Sequence, residues 1–146
     1  MHQLHDPAVR ASIEARLEAL RPDSPPRWGT MTVDQMLWHL NRFLEAALGQ
    51  GSMPAAKFPL PRALLRFVVL HLPLPKSAPT NPGAVAKERY NFEEEKARSK
   101  ALIDRFVNRP LDGPWSIDPT YGRVDGNFAT RIVAKHLDHH LRQFGA

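Results

Sequence analysis

The sequence predicts an all-α fold: a four-helix bundle with a long Pro-rich crossover between helices two and three. Three observations predict it. Four long stretches carry apolar residues at spacings of three and four, which lay one stripe along a helix. Half of the fourteen prolines crowd into residues 54–82, where long helices are broken. No segment shows the convincing apolar–polar alternation of a half-buried strand.

The first helix opens at Asp6, a good N-cap, with Pro7 in the first helical position, where its missing N–H costs nothing. Val9, Ile13, Leu17 and Leu20 form its stripe, and the prolines between 22 and 26 end it. The second helix opens at Thr32, with Gln35 three residues on in a capping-box pattern. Val33, Met36, Leu37, Leu40, Phe43, Leu44 and Ala47 build its buried face, and Gly49 and Gly51 supply the stop. Within the crossover, Pro61 starts one short apolar helix over residues 62–72, and Pro73 ends it. The third long helix starts near Asn91, where Glu94 completes a capping pair and the Glu93–Glu95 run complements the positive end of the dipole. It passes through Leu102, Ile103, Phe106 and Val107 and stops before Pro110. A loop over residues 111–126 holds Trp115 and Tyr121, and the fourth long helix covers residues 127–144.

A length of 146 residues suits a single domain over residues 1–146. Apolar residues at 42% and charged residues at 24% exclude global disorder. The absence of cysteine excludes a disulfide scaffold, a Cys-ligated zinc module, an iron–sulfur cluster and a thiol nucleophile. The N-terminus lacks the pattern of a signal peptide. The longest apolar run, residues 63–72, contains Arg66 and His71 and is far short of the roughly 20 residues of a membrane span. A soluble cytoplasmic protein with no membrane partner is therefore expected. The net charge of +5 arises in the middle of the chain, without a block of Lys or Arg and without aromatic–basic interleaving. It reads as a solvated surface rather than a nucleic-acid face.

The fourth helix carries the chemistry. At about 100° per residue from Phe128, the apolar side chains Ile132, Ala129, Val133, Phe144 and Leu137 fall between about 40° and 180°. His136 and His140 lie inside that stripe, at about 80° and 120°, one turn apart. Each imidazole brings an N–H and a lone pair that need partners, and two charged forms would repel. A divalent cation resolves both problems, as does a hydrogen-bonded polar core, and the pair alone leaves both open. The spacing is that of many helical zinc sites, but Leu137 stands where a zincin protease has its Glu. His39, on the flank of the second helix's stripe, is a structural side chain or a third ligand. Three His ligands with one open position make a catalytic type of metal site. Asp34, Asn41, Tyr121, Asp138 and His139 are candidates for supporting or acid–base groups. Trp28 and Trp38 are expected to fill space between loop and helices, His2 and His5 to be frayed and solvated, and His71 to be a polar edge residue. Trp115 and Tyr121 either cover the site or fix their loop to the bundle.

The segments Trp28-Gly29-Thr30-Met31-Thr32-Val33-Asp34-Gln35-Met36-Leu37-Trp38-His39 and Lys135-His136-Leu137-Asp138-His139-His140-Leu141-Arg142-Gln143-Phe144-Gly145 resemble the DinB-like superfamily of metal-binding helical bundles. They are closest to a branch of it known as a domain of unknown function. The resemblance spans nearly the whole chain, including the Pro-rich middle and Asn91-Phe92-Glu93-Glu94-Glu95-Lys96. It implies a divalent metal, zinc or nickel, on His39, His136 and His140, and a bundle that frequently dimerises. Characterised members include transferases and isomerases that use low-molecular-weight thiols. The resulting expectation is a metal-dependent enzyme acting on a small electrophile by thiol transfer, isomerisation or hydrolysis. With no cysteine of its own, such an enzyme takes its thiol from outside. The alternatives are a metal-free bundle that binds a small molecule or serves structurally, and nucleic-acid binding through the basic middle.

Overall fold

In the computed structural model, which describes residues 2–51 and 53–146, the described residues form five α-helices, a one-turn 3₁₀ helix and a two-strand hairpin. Helix α1 spans Pro7–Ala19, α2 Val33–Ala47, α3 Arg62–His71, α4 Phe92–Val107 and α5 Gly126–Gln143. The fold is mostly helical, as expected. Asp6 Oδ1 accepts from Ala8 N at 2.8 Å, Gln35 Oε1 from Thr32 N at 3.0 Å and Asn91 Oδ1 from Glu94 N at 3.0 Å. Helix α5 begins one residue earlier than expected because Asp125 caps it, its Oδ1 accepting from Phe128 N at 2.8 Å.

The apolar stripes meet in one core. Helix α2 packs along α4 and also meets α5, while α1 and α3 lie against α5. Leu17 of α1, Met36, Leu37 and Leu40 of α2, Ile103 and Phe106 of α4, and Leu137 and Leu141 of α5 are buried at the centre. Burial of each such side chain contributes about 1.5–3 kcal/mol. Polar groups set the register of α2 on α4: Asn41 Nδ2 donates to Glu95 O at 3.0 Å and Oε2 at 2.7 Å, and Ser99 Oγ donates to Asn41 Oδ1 at 2.6 Å. Buried Glu45 pairs with Arg42 and Arg98.

Two expectations need correction. His5 is not frayed. Its ring hydrogen-bonds Thr130 Oγ1 at 2.9 Å and Arg109 O at 2.9 Å and packs on Phe106 and Trp115, while Leu4 beside it is fully buried. Apolar burial of Leu4 holds the N-terminal segment on α5. The expected loop over residues 111–126 contains an antiparallel hairpin, β1 (Ile117–Asp118) with β2 (Gly122–Arg123). Two residues per strand are too few to show a period of two. The turn is made by Asp118 Oδ1, which accepts from Thr120 N and Tyr121 N, and by Gly122 at φ +80°.

The crossover folds back on itself. Asn81 Nδ2 donates to Pro54 O at 2.8 Å, and Asn81 Oδ1 caps the 3₁₀ helix Pro82–Ala84 by accepting from Gly83 N at 2.9 Å. This places fully buried Ala84 against α2.

Candidate metal centre

His39 comes from α2, and His136 and His140 come from successive turns of α5. The α2–α5 contact brings all three together. His39 Nε2 lies 3.2 Å from His136 Nε2, and His140 Nε2 lies 3.1 Å from it. One ligating nitrogen from each ring falls within 4.8 Å of the others, and no other such group of three His, Cys, Asp or Glu occurs among the described residues. Tetrahedral ligands about 2.0–2.1 Å from zinc stand about 3.3 Å from one another. The two short separations already approach that spacing.

The far sides of the rings decide what these nitrogens offer. His39 Nδ1 donates to Ala84 O at 3.0 Å. A carbonyl oxygen only accepts, so Nδ1 carries the proton and Nε2 presents a lone pair. For His140 the same logic runs through an amide. Gln143 Nε2 donates to Trp28 O at 2.9 Å, which turns Gln143 Oε1 toward His140 Nδ1 at 2.7 Å. That ring too is a donor at Nδ1 and offers a lone pair at Nε2. Both lone pairs face His136 Nε2, whose single hydrogen serves at most one of them well. An unpaired buried acceptor costs about 1–3 kcal/mol. The donor set therefore fits a divalent cation, which engages all three imidazole lone pairs.

Electrostatics keep the rings in that form. His39 and His140 are buried, and His136 is partly so. Burial pushes His39 below its ordinary value against the hydrogen bond to Ala84 O. Burial, with the neighbouring His39 charge, pushes His140 down to about 3. Burial and the charges of His140 and His39 hold His136 well below its ordinary value. All three are neutral at pH 7. Phe43, one turn after His39, closes one side with its ring 5.0 Å from His39 and 4.6 Å from His136.

The other candidates divide. His139 borders the cluster, its ring 5.0 Å from His140 and 5.6 Å from Trp28. Asn41 and Asp138 are each two positions, about 200°, from a cluster histidine on their own helix and so face elsewhere. Asn41 is committed to α4, and Asp138 pairs with Arg16 and Arg142. Asp34 accepts from Arg89 and from Tyr90 N at 2.8 Å. Burial would raise its carboxyl, but these hydrogen bonds hold it well below the usual carboxylate range. Tyr121 packs on Phe128 and Trp115 on Phe106, so both fix their loop to the body. Trp38 fills space as expected, stacked on Tyr90 at 5.0 Å. His71 is exposed against Phe67.

Sequence reasoning missed two parts of the centre. Gln143 was legible in principle, three positions after His140 on the same helix face. Nothing local marks Ala84, whose carbonyl arrives from 45 residues away. No protein-family model matches the chain, and no curated protein or solved structure matches it either, so the chemistry of the centre is read from the centre itself.

Proposed function

We propose that the chain is a DinB-like four-helix bundle of α1, α2, α4 and α5 that holds a divalent metal, zinc or nickel, on His39, His136 and His140. The observation that carries this reading is the pair of lone pairs on His39 and His140, locked by Ala84 O and Gln143 and aimed at His136 Nε2. When bound, the ion supplies Lewis acidity that lowers the pKa of a water or low-molecular-weight thiol beside it. His39, His136 and His140 hold it as neutral ligands, and Phe43 keeps water from one side. His139, at the edge, takes or returns a proton at its imidazole. Since the chain has no cysteine, thiol transfer or isomerisation draws on an external thiol, and hydrolysis draws on water. The substrate is a small electrophile. With this reading go one domain over residues 1–146, a homodimer and a cytoplasmic location.

The test is metal analysis of protein purified without a histidine tag, beside His136→Ala. About one equivalent of metal in the parent and little in the variant is expected. Equal metal in both overturns the assignment. A metal-free, fully folded parent whose melting ignores chelators identifies a non-catalytic bundle instead.

A further inference from the structure

Helix α3 packs on α5 with Leu65 buried and Val68, Val69 and Leu70 half-buried, yet it leaves a second apolar face uncovered. Arg66 turns inward, donating to the carbonyl oxygens of Tyr121 and Arg123 at 3.4 and 2.6 Å and lying 4.5 Å over the Phe128 ring, while Arg62 at the start of the helix stays exposed. Leu64 and Phe67, three positions apart on one helix face, are 46% and 57% exposed. Phe58 and Leu60 before the helix and Leu72 after it are exposed as well. Lys135 Nζ donates to the carbonyl oxygens of Val69 and Leu72 and pins the end of α3 to α5, so this apolar face is presented ready-formed.

The segment that carries this face has charge of one sign. Between Glu45 and Glu88 the chain has no acidic residue and five basic ones: Lys57, Arg62, Arg66, Lys76 and Lys87. The remaining fifteen basic and fifteen acidic residues cancel, so the whole net charge of +5 belongs to this segment.

We propose that this face docks on a bilayer surface bearing anionic headgroups, with Leu64 and Phe67 entering the boundary between headgroups and acyl chains and the flanking cations meeting phosphate and carboxylate. No helix among the described residues is long and apolar enough to cross a membrane. A helix lying in the interface needs only one apolar face and a basic surround. The expectation of no membrane partner came from the missing span and does not reach this mode. A second copy is the poorer occupant, because a two-fold contact sets the same patch against itself and brings two acid-free segments together.

Sedimentation of the full chain with phosphatidylcholine vesicles, with and without about one third phosphatidylserine, tests the proposal. Binding to the anionic vesicles, weakening as salt rises, is expected. The double variant Leu64→Asp, Phe67→Asp should reduce it at least about tenfold, and Lys57→Glu at least about fivefold. Both changes are on the surface, and unchanged circular dichroism and melting of the variants will show that the fold is kept. No vesicle binding by the parent overturns the proposal, as does equal binding to neutral vesicles. So does a parent that binds no vesicles but self-associates until Phe67→Asp makes it monomeric, which identifies a second copy as the occupant.

Discussion

Gln143 shows how much one side chain decides. Its amide is oriented by Trp28 O and in turn orients the proton of His140. Replacing it with Leu removes the acceptor, and metal affinity is expected to fall about 10- to 100-fold in a competition titration with a chromophoric chelator. In metal-free protein, nitrogen NMR should show His140 no longer held with its proton on Nδ1, whereas Gln143→Glu, which keeps the acceptor, should restore that tautomer. A second residue-scale consequence concerns pH. His140 is pushed from 6.5 to about 3, so between those values the unfolded chain binds the proton and the folded one does not. Stability is therefore complete above the unfolded value and falls as pH drops through 6.5 toward 3, by up to about 1.4 kcal/mol per pH unit for this imidazole. His39 and His136, shifted in the same direction, add to the loss. Urea unfolding of metal-free protein between pH 8 and about 5 should show the decline, and His140→Asn should make it shallower.

Among the elements, the short connections matter as much as the helices. Asp34 ties the start of α2 to the segment entering α4 through Arg89 and Tyr90 N. Arg89 is 68% exposed, so its ion pair is screened and the part-buried hydrogen bond from Tyr90 N to the buried Asp34 carboxylate is the larger stake. Asp34→Ala is expected to cost about 2–3 kcal/mol by urea unfolding, and Asp34→Asn, which retains an acceptor, less. The 3₁₀ turn that presents Ala84 O leaves no space at Gly83: a Cβ there would stand 2.8 Å from Pro54 Cδ and 3.1 Å from Met53 Sδ. Gly83→Ala should displace that carbonyl and weaken metal binding in the same titration while leaving the helical content unchanged. The caps of these elements were legible, since Asp6, Gln35 and Asn91 act within a few residues of where they stand. The hairpin was not, because its short strands exist only through pairing with each other.

For the molecule as a whole, a ligand bound by two helices links the centre to global stability. At free metal about 100 times the dissociation constant, the gain is about 2.7 kcal/mol, which for a chain of this size raises the melting temperature by about 5–10 °C. A chelator should remove that increment from the parent protein in a thermal melt, and His136→Ala should melt alike with and without it. The sequence alone determined what is local: helical periods, capping residues, the proline-broken crossover, and the one-turn stacking of His136 and His140 on a single face. These depend on backbone geometry over one or two turns and survive any packing. Only the tertiary structure decided that His39 meets that pair, that Ala84 O fixes its tautomer from 45 positions away, and that α3 turns Leu64 and Phe67 outward. Those outcomes depend on how a long crossover closes across the core, and closure is settled by burial and hydrogen bonding summed over distant segments rather than by any spacing within one.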